Sequence, residues 1–236
     1  MPTAPKWLFD TLDLFMSKLP GTEVVRTEYL SPSVKLIKLT GLFDELHVPV
    51  GAFFDIRISD TEARRYTISS INRENSTLDL IVYLHGQGPG SKYMDGLQRG
   101  DEIYLNKPRT DQKYHNHLVE NLVFFGDETS LALAISFLPV VREHGQQIQF
   151  IFELDEENRN VPQVLGINHS LVFPKGEIFR DPESIAAIDV LKYETWKYFV
   201  LTGNVKSVQA FRKAVKMHMP SKVKAHGFWL EGKNGL

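Results

Sequence analysis

Arg64-Arg65-Tyr66-Thr67 places a cation, a flat ring and a hydroxyl within four residues of one predicted strand. Strand alternation sets Arg64 and Tyr66 on one face and Thr67 on the other. The set suits a flavin nucleotide: guanidinium for a phosphate, ring for stacking, hydroxyl for a ring nitrogen. It equally describes an exposed basic strand with one core tyrosine. Further along, His85-Gly86-Gln87-Gly88-Pro89-Gly90-Ser91 follows a strand and precedes a predicted helix near residues 91–98. Glycines let a backbone approach a phosphate, and a helix N-terminus supplies N–H donors and positive potential. A tight turn with a helix cap has the same composition. The spacing allows Arg64 and this loop to share one pyrophosphate.

A third stretch, Gly126-Asp127-Glu128-Thr129-Ser130, follows a short apolar strand. In open parallel sheets ligands sit outside the carboxyl ends of the strands, so this turn can face a nucleotide. Asp127 or Thr129 also reads as a plain helix cap. The acidic run Glu153-Leu154-Asp155-Glu156-Glu157 favours ribose hydroxyls over a 2′-phosphate, hence NADH over NADPH, and Arg159 pulls the other way. Trp229 is expected to cap the core rather than cover a flavin. His115 and His117 flank Asn116, and with no carboxylate to complete a metal set they read as solvated histidines; no metal site is expected.

These residues need elements to hold them. Leu8, Leu12, Phe15 and Leu19 fall on one face of an amphipathic helix over residues 5–19, ended by Pro20-Gly21. Residues 21–110 carry short alternating strands, which predicts an antiparallel Greek-key β-barrel. Within it, Val34, Leu36, Ile37 and Leu39 alternate with one slip, which suggests a bulge. Residues 111–118 read as a polar linker. Residues 119–236 alternate strand and helix, with a helix from Thr129 to Arg142 that Pro139 is expected to kink or shorten and another over 182–191. That rhythm predicts an open parallel-sheet α/β domain of the nucleotide-binding type.

Composition narrows the classes. The chain has 236 residues, 42% hydrophobic and 24% charged, which excludes disorder at chain scale. Its net charge of −2 offers no global field for nucleic acid or an anionic membrane. The absence of cysteine excludes disulfides, Fe–S clusters and a thiol nucleophile. No run is long and apolar enough for a transmembrane helix and no secretion signal is evident, so a cytoplasmic location is expected.

Taken in order, RRYT, HGQGPGSKY, RGDEIYLNKPR, GDETSLALAIS and GFWLEGK resemble the siderophore-interacting proteins of the ferredoxin-reductase superfamily, over roughly residues 20–233. Gly90 stands where that family usually has alanine, and Tyr93 where it usually has tryptophan. The resemblance implies a flavin-dependent ferric-siderophore reductase, with electrons passing from NADH, NADPH or an electron-carrier protein through FAD to Fe(III). It implies that Arg64 pairs with an FAD phosphate, Tyr66 stacks on the isoalloxazine and Thr67 bonds near its reactive nitrogen. His85, Gly88, Pro89, Gly90 and Ser91 would line the pyrophosphate, and Gly126, Asp127, Glu128 and Thr129 would sit where the reductant arrives. Ferric siderophores are often anionic, so Lys107, Arg109 and Lys233 are the candidate substrate-binding cations; each also reads as a solvated surface charge. A flavoprotein reductase with another acceptor (free flavin, a quinone or a protein) and a non-catalytic siderophore-binding module are the alternatives.

Overall fold

A computed structural model describes residues 5–7, 18–19, 21–86, 88–192, 195–219 and 221–232. The chain forms two compact units, Met1–Lys113 and Tyr114–Leu236. Most of the helix expected over 5–19 lies outside the described residues. Its end is not helical: β1 (Lys18–Leu19) pairs antiparallel with β7 (Leu105–Asn106), because Leu19 is drawn into the core beside Leu105.

The first unit is built on β2 (Glu23–Ser31), β3 (Val34–Thr40), β4 (Phe53–Arg57), β5 (Ala63–Asn72) and β6 (Thr77–Tyr83), an antiparallel sheet in the order β2-β3-β6-β5-β4. Residues 101–109 then join its two edges. Val24 N–H bonds to the Asp101 carbonyl (2.9 Å) and Ile103 N–H to that of Thr22 (3.0 Å), while Phe53 and Arg109 exchange both main-chain bonds at 2.9 Å. That connection closes the sheet into a barrel around Val24, Ile37, Leu39, Phe54, Ile56, Leu78 and Leu80. Helix α1 (Pro89–Gly96) seals one side with Met94, which is wholly buried.

The bulge expected in β3 is absent. Val34 to Thr40 pairs with Tyr83 to Thr77 of β6 without interruption. The inward positions are Lys35, Ile37 and Leu39, all buried, and Leu36 takes a half-buried place on the other face. The apparent slip arises because a lysine occupies a core position. The sheet's irregularities fall instead between Val24 and Arg26 and between Tyr29 and Ser31 of β2, and between Ile68 and Ser70 of β5.

The second unit is a five-stranded parallel sheet in the order β10-β9-β8-β11-β12. Its strands are β8 (Asn121–Gly126), β9 (Gln147–Leu154), β10 (Leu171–Pro174), β11 (Tyr198–Asn204) and β12 (Lys222–Trp229), joined through α2 (Leu131–Glu143), α3 (Val161–Val164), α4 (Pro182–Ala186) and α5 (Val205–His218). Burial on both faces explains the unbroken apolar run of β8 and the complete burial of β11. Pro139 does not shorten α2, which runs on to Glu143 at the cost of one main-chain bond. The helix expected over 182–191 divides into α4 and a 3₁₀ turn at Asp189–Lys192. Asn204 caps α5, its side-chain oxygen accepting from Lys206 N–H at 2.8 Å. Strand order reverses between β8 and β11, which makes their carboxyl ends the crevice where such sheets take ligands. Among the described residues no helix is long and apolar enough to cross a membrane.

Candidate functional site

In the first unit the glycine loop and the RRYT strand meet. Tyr66, paired with Phe54 across β4 and β5, donates its hydroxyl to the Gly90 carbonyl at 3.3 Å. A Cβ on Gly90 would stand 3.1 Å from both the Tyr66 hydroxyl and Arg64 Cγ, so these three residues share one spot. Ser91 donates its hydroxyl to the His85 carbonyl at 3.1 Å and shapes the loop that enters α1. Gly88 is the extended N-cap of that helix, Pro89 follows it and no side chain caps it, which leaves this end suited to an anion. Arg64 is partly exposed and bonds to the Ala63 carbonyl (2.9 Å) and the Glu62 carboxylate (2.8 Å). Burial drives the Tyr66 phenol upward in pKa against the opposing pull of Arg64, so it remains a neutral ring and donor. Thr67 pairs with Phe53 and is partly buried.

In the second unit the turn after β8 is closely packed. Asp127 is 1% exposed and fills the crevice between β8 and β11. It accepts from Thr129 N–H (2.9 Å), Asn204 N–H (2.8 Å), Trp229 Nε1–H (2.6 Å) and the Thr129 hydroxyl. Gly203 makes room for it: its φ is +100°, and a Cβ there would lie 2.6 Å from the carboxylate. Burial raises the Asp127 pKa, and its bonds with Thr129 and Trp229 and the charge of Lys175 oppose that rise. Glu128 also turns inward, accepting from Asp155 N–H (2.7 Å) and Asn158 Nδ2–H (2.9 Å) and pairing with Lys175 Nζ at 2.7 Å. Neither carboxylate faces solvent; Thr129 alone of this turn is partly exposed. Trp229 is held by Asp127.

The acidic run after β9 meets its own cations. Glu153 is 2% exposed, hydrogen-bonds with Ser207 and lies 3.6 Å from Arg180; Asp155 pairs with Lys175 (2.6 Å), and Glu156 with Arg159 (2.8 Å). The sequence reading missed Lys175 and Arg180. The signal available was only that lone cations follow an acidic run, and their partners depend on strand order. Leu154, Glu156, Arg159, Val172, Phe173 and Pro174 line a small cleft beside this run.

Of the proposed substrate cations, Lys107 is exposed, whereas Arg109 pairs with Asp55 at 2.5 Å. Arg65 shares that carboxylate and stacks over Phe53, 3.6 Å from the ring centre. Lys233 lies outside the described residues. His115 bonds to Gln146 at 2.6 Å, and among the described residues no three metal-ligating side chains are grouped to hold an ion.

Residues 22–114 match the family model described as an oxidoreductase FAD-binding domain. The siderophore-interacting protein from Acinetobacter baumannii superposes with a TM-score of 0.74 at 21% identity, covering 93% of each chain. A ferredoxin NADP+ reductase from Neisseria gonorrhoeae, solved with FAD and NADP bound, superposes at 0.67 and 15% identity, covering 90% of this chain and 98% of that one. The chain has the ferredoxin-reductase-like fold, and residues 22–114 of it resemble an FAD-binding domain. The reductase component of propane 2-monooxygenase from Gordonia sp. (strain TY-5) is 30% identical over 129 residues; the match spans 52% of this chain and 37% of that protein.

The residues of that FAD-binding-like region fit the cofactor. Arg64 and Tyr66 converge on the uncapped end of α1, and Gly90 keeps the approach open. Gly90→Val would push a branched side chain into Arg64 and Tyr66. It is expected to raise the Kd for FAD about ten-fold or more, by the tight packing of such a contact. Fluorescence titration checks this; an unchanged Kd would separate Gly90 from the site.

Proposed function

We propose that this protein is a flavin-dependent ferric-siderophore reductase. The observation that carries the reading is the convergence of Arg64, Tyr66 and Gly90 at the N-terminus of α1 inside an FAD-binding-like region. The choice of acceptor draws on the solved siderophore-interacting proteins, including SipS from Aeromonas hydrophila (TM-score 0.72, 20% identity, 92% of this chain and 94% of that one), which match this chain almost end to end. FAD, when bound, accepts two electrons together and releases them singly, the requirement for reducing Fe(III) with a nicotinamide donor.

The chain's own part is to bind and orient. Arg64 supplies a charge-assisted bond to phosphate, for which its pairing with Glu62 must loosen or be shared. The first turn of α1 contributes main-chain N–H groups and the positive end of its dipole. Tyr66 offers its ring face, held in place by the bond to Gly90. Thr67, across from Phe53, supplies a hydroxyl at the same strand end. No general acid or base is needed for outer-edge electron delivery, which agrees with carboxylates in the second unit that are turned inward. For the donor, the cleft lined by Glu156 and Arg159 offers both a ribose acceptor and a phosphate partner, so NADH and NADPH are both suited to it. Lys107 and Arg109 are the described cations available to an anionic chelate, Arg109 after release from Asp55.

A second reading, reduction of a protein partner, is favoured by the match to the monooxygenase reductase component. Anaerobic stopped-flow separates the two. The FAD-loaded protein is reduced with NADH or NADPH and mixed with ferric siderophores or with an oxidised iron–sulfur protein. Fast reoxidation by ferric chelates alone supports the first reading; reoxidation by the protein acceptor alone replaces it. Arg64→Ala is expected to weaken FAD binding at least about ten-fold, since a bond to a charged group contributes about 1.5–3 kcal/mol. An unchanged affinity would take Arg64 out of the site.

A further inference from the structure

Lys35 is a lysine at a core position, 2% exposed, on the inward face of β3 that it shares with the buried Ile37 and Leu39. Nothing in the flavin chemistry uses it. Its Nζ donates to three main-chain carbonyls, those of Met94 (3.2 Å), Asp95 (2.7 Å) and Leu97 (2.9 Å). Three acceptors around one nitrogen take all three hydrogens of an ammonium; burial lowers its pKa, and the nearby charges of Asp95 and Asp101 oppose that fall. These carbonyls belong to the last turn and the C-cap of α1. A helix end carries carbonyls with no intrahelical donor, and α1 has no means of its own to satisfy them: its last turn has no basic residue, and Leu97 is extended rather than left-handed. Lys35 therefore supplies, from another element, the C-cap that α1 lacks. Tyr29 braces the same end by donating its hydroxyl to Asp95.

We propose that Lys35 is a positioning residue for the cofactor: it fixes α1 by its C-terminus so that the opposite end meets the FAD phosphates. This deepens the reading of α1 as the phosphate-bearing helix and rests on it. Two physical effects act together. A two-turn helix is marginal by itself and takes its place from what anchors it; α1 is anchored by Met94 and by this lysine, and over a length of about 12 Å any tilt at one end displaces the other. The ammonium also neutralises the negative end of the helix dipole, so the positive end acts on the phosphates without its opposing partner.

The test uses the full chain with Lys35→Met, and with Ile37→Val as a control that trims the core from the same strand face and removes no polar bond to α1. The Kd for FAD, the Kd for riboflavin, which lacks phosphate, and the melting temperature of the apoprotein are measured for each. The expected result for Lys35→Met is a Kd for FAD raised about ten-fold or more, with riboflavin changed less than two-fold; Ile37→Val lowers the melting temperature and leaves both Kd values in place. If Lys35→Met does not fold, Lys35→Gln, of similar reach with two uncharged donors, carries the same expectation at smaller amplitude. A folded variant with FAD affinity within two-fold of wild type overturns the proposal. So does a parallel loss of FAD and riboflavin, the mark of a purely structural lysine. Equal affinity of the wild-type chain for FAD and riboflavin would instead show that α1 carries no phosphate, and the underlying reading would fall before any variant is compared.

Discussion

Asp127→Ala is expected to destabilise the second unit by about 3–5 kcal/mol, since several donors lose their acceptor together at about 1–3 kcal/mol for each one left buried. The carboxylate is the meeting point of three parallel strands: it follows β8, accepts from the main chain at the end of β11 and holds the indole at the end of β12. Its loss leaves the buried Asn204 N–H without an acceptor and opens a space beside Gly203, where a Cβ would lie 2.6 Å from the Asp127 carboxylate. Urea unfolding followed by tryptophan fluorescence reads the effect, because Trp229 loses its partner. A cost below about 1 kcal/mol, the worth of a surface pair, would show that the strand ends do not depend on Asp127. The contrast with Arg64 is instructive. Both residues were singled out as cofactor contacts, but one spends every oxygen lone pair on its own unit while the other keeps a partly exposed guanidinium beside an uncapped helix.

That contrast marks what could be read from residues alone. The strands of both units follow from period-two and continuous apolar patterns, and the RRYT strand and glycine loop are local enough to be recognised from spacing. Lys35 defeated the pattern, since alternation assumes that charge faces water, and a lysine fully bonded to carbonyls breaks that assumption without any local sign. Glu128 with Lys175, and Glu153 with Arg180, were equally hidden. These partners come together only once β8, β9 and β10 are ordered side by side, and strand order is a property of the whole sheet. The GDET turn has a related ambiguity: a carboxylate after a parallel strand is found both in ligand sites and in the caps that close a switch point, and the inward turn of Asp127 and Glu128 has no local sign in the sequence.

Glu153→Gln is expected to make the second unit more stable at pH 8 and indifferent to pH through this position. Burial at the end of β9 pushes the Glu153 carboxyl from an ordinary 4.5 up to about 7; the bond from Ser207 opposes the rise, the neighbouring Asp127 adds to it, and Arg180 and Lys175 oppose it again. A carboxyl whose folded pKa is raised keeps its proton in the native state after the unfolded chain has lost it. Stability therefore falls as pH rises from about 4.5 and the loss is complete above about 7, amounting to about 3 kcal/mol by linkage. Glutamine keeps the shape without the charge, so that loss disappears. Against it stand the weakened attraction of Arg180, which is one-third exposed and also bonds to Ser207, and the weaker bond from Ser207 itself, together about 1 kcal/mol. Urea midpoints at pH 5 and pH 8 for both proteins provide the comparison. The variant should gain about 2–3 kcal/mol on wild type between the two conditions. A constant gap at both would mean that Glu153 is ionised throughout, and that Arg180, together with Ser207 in the first turn of α5, solvates it well enough to offset its burial.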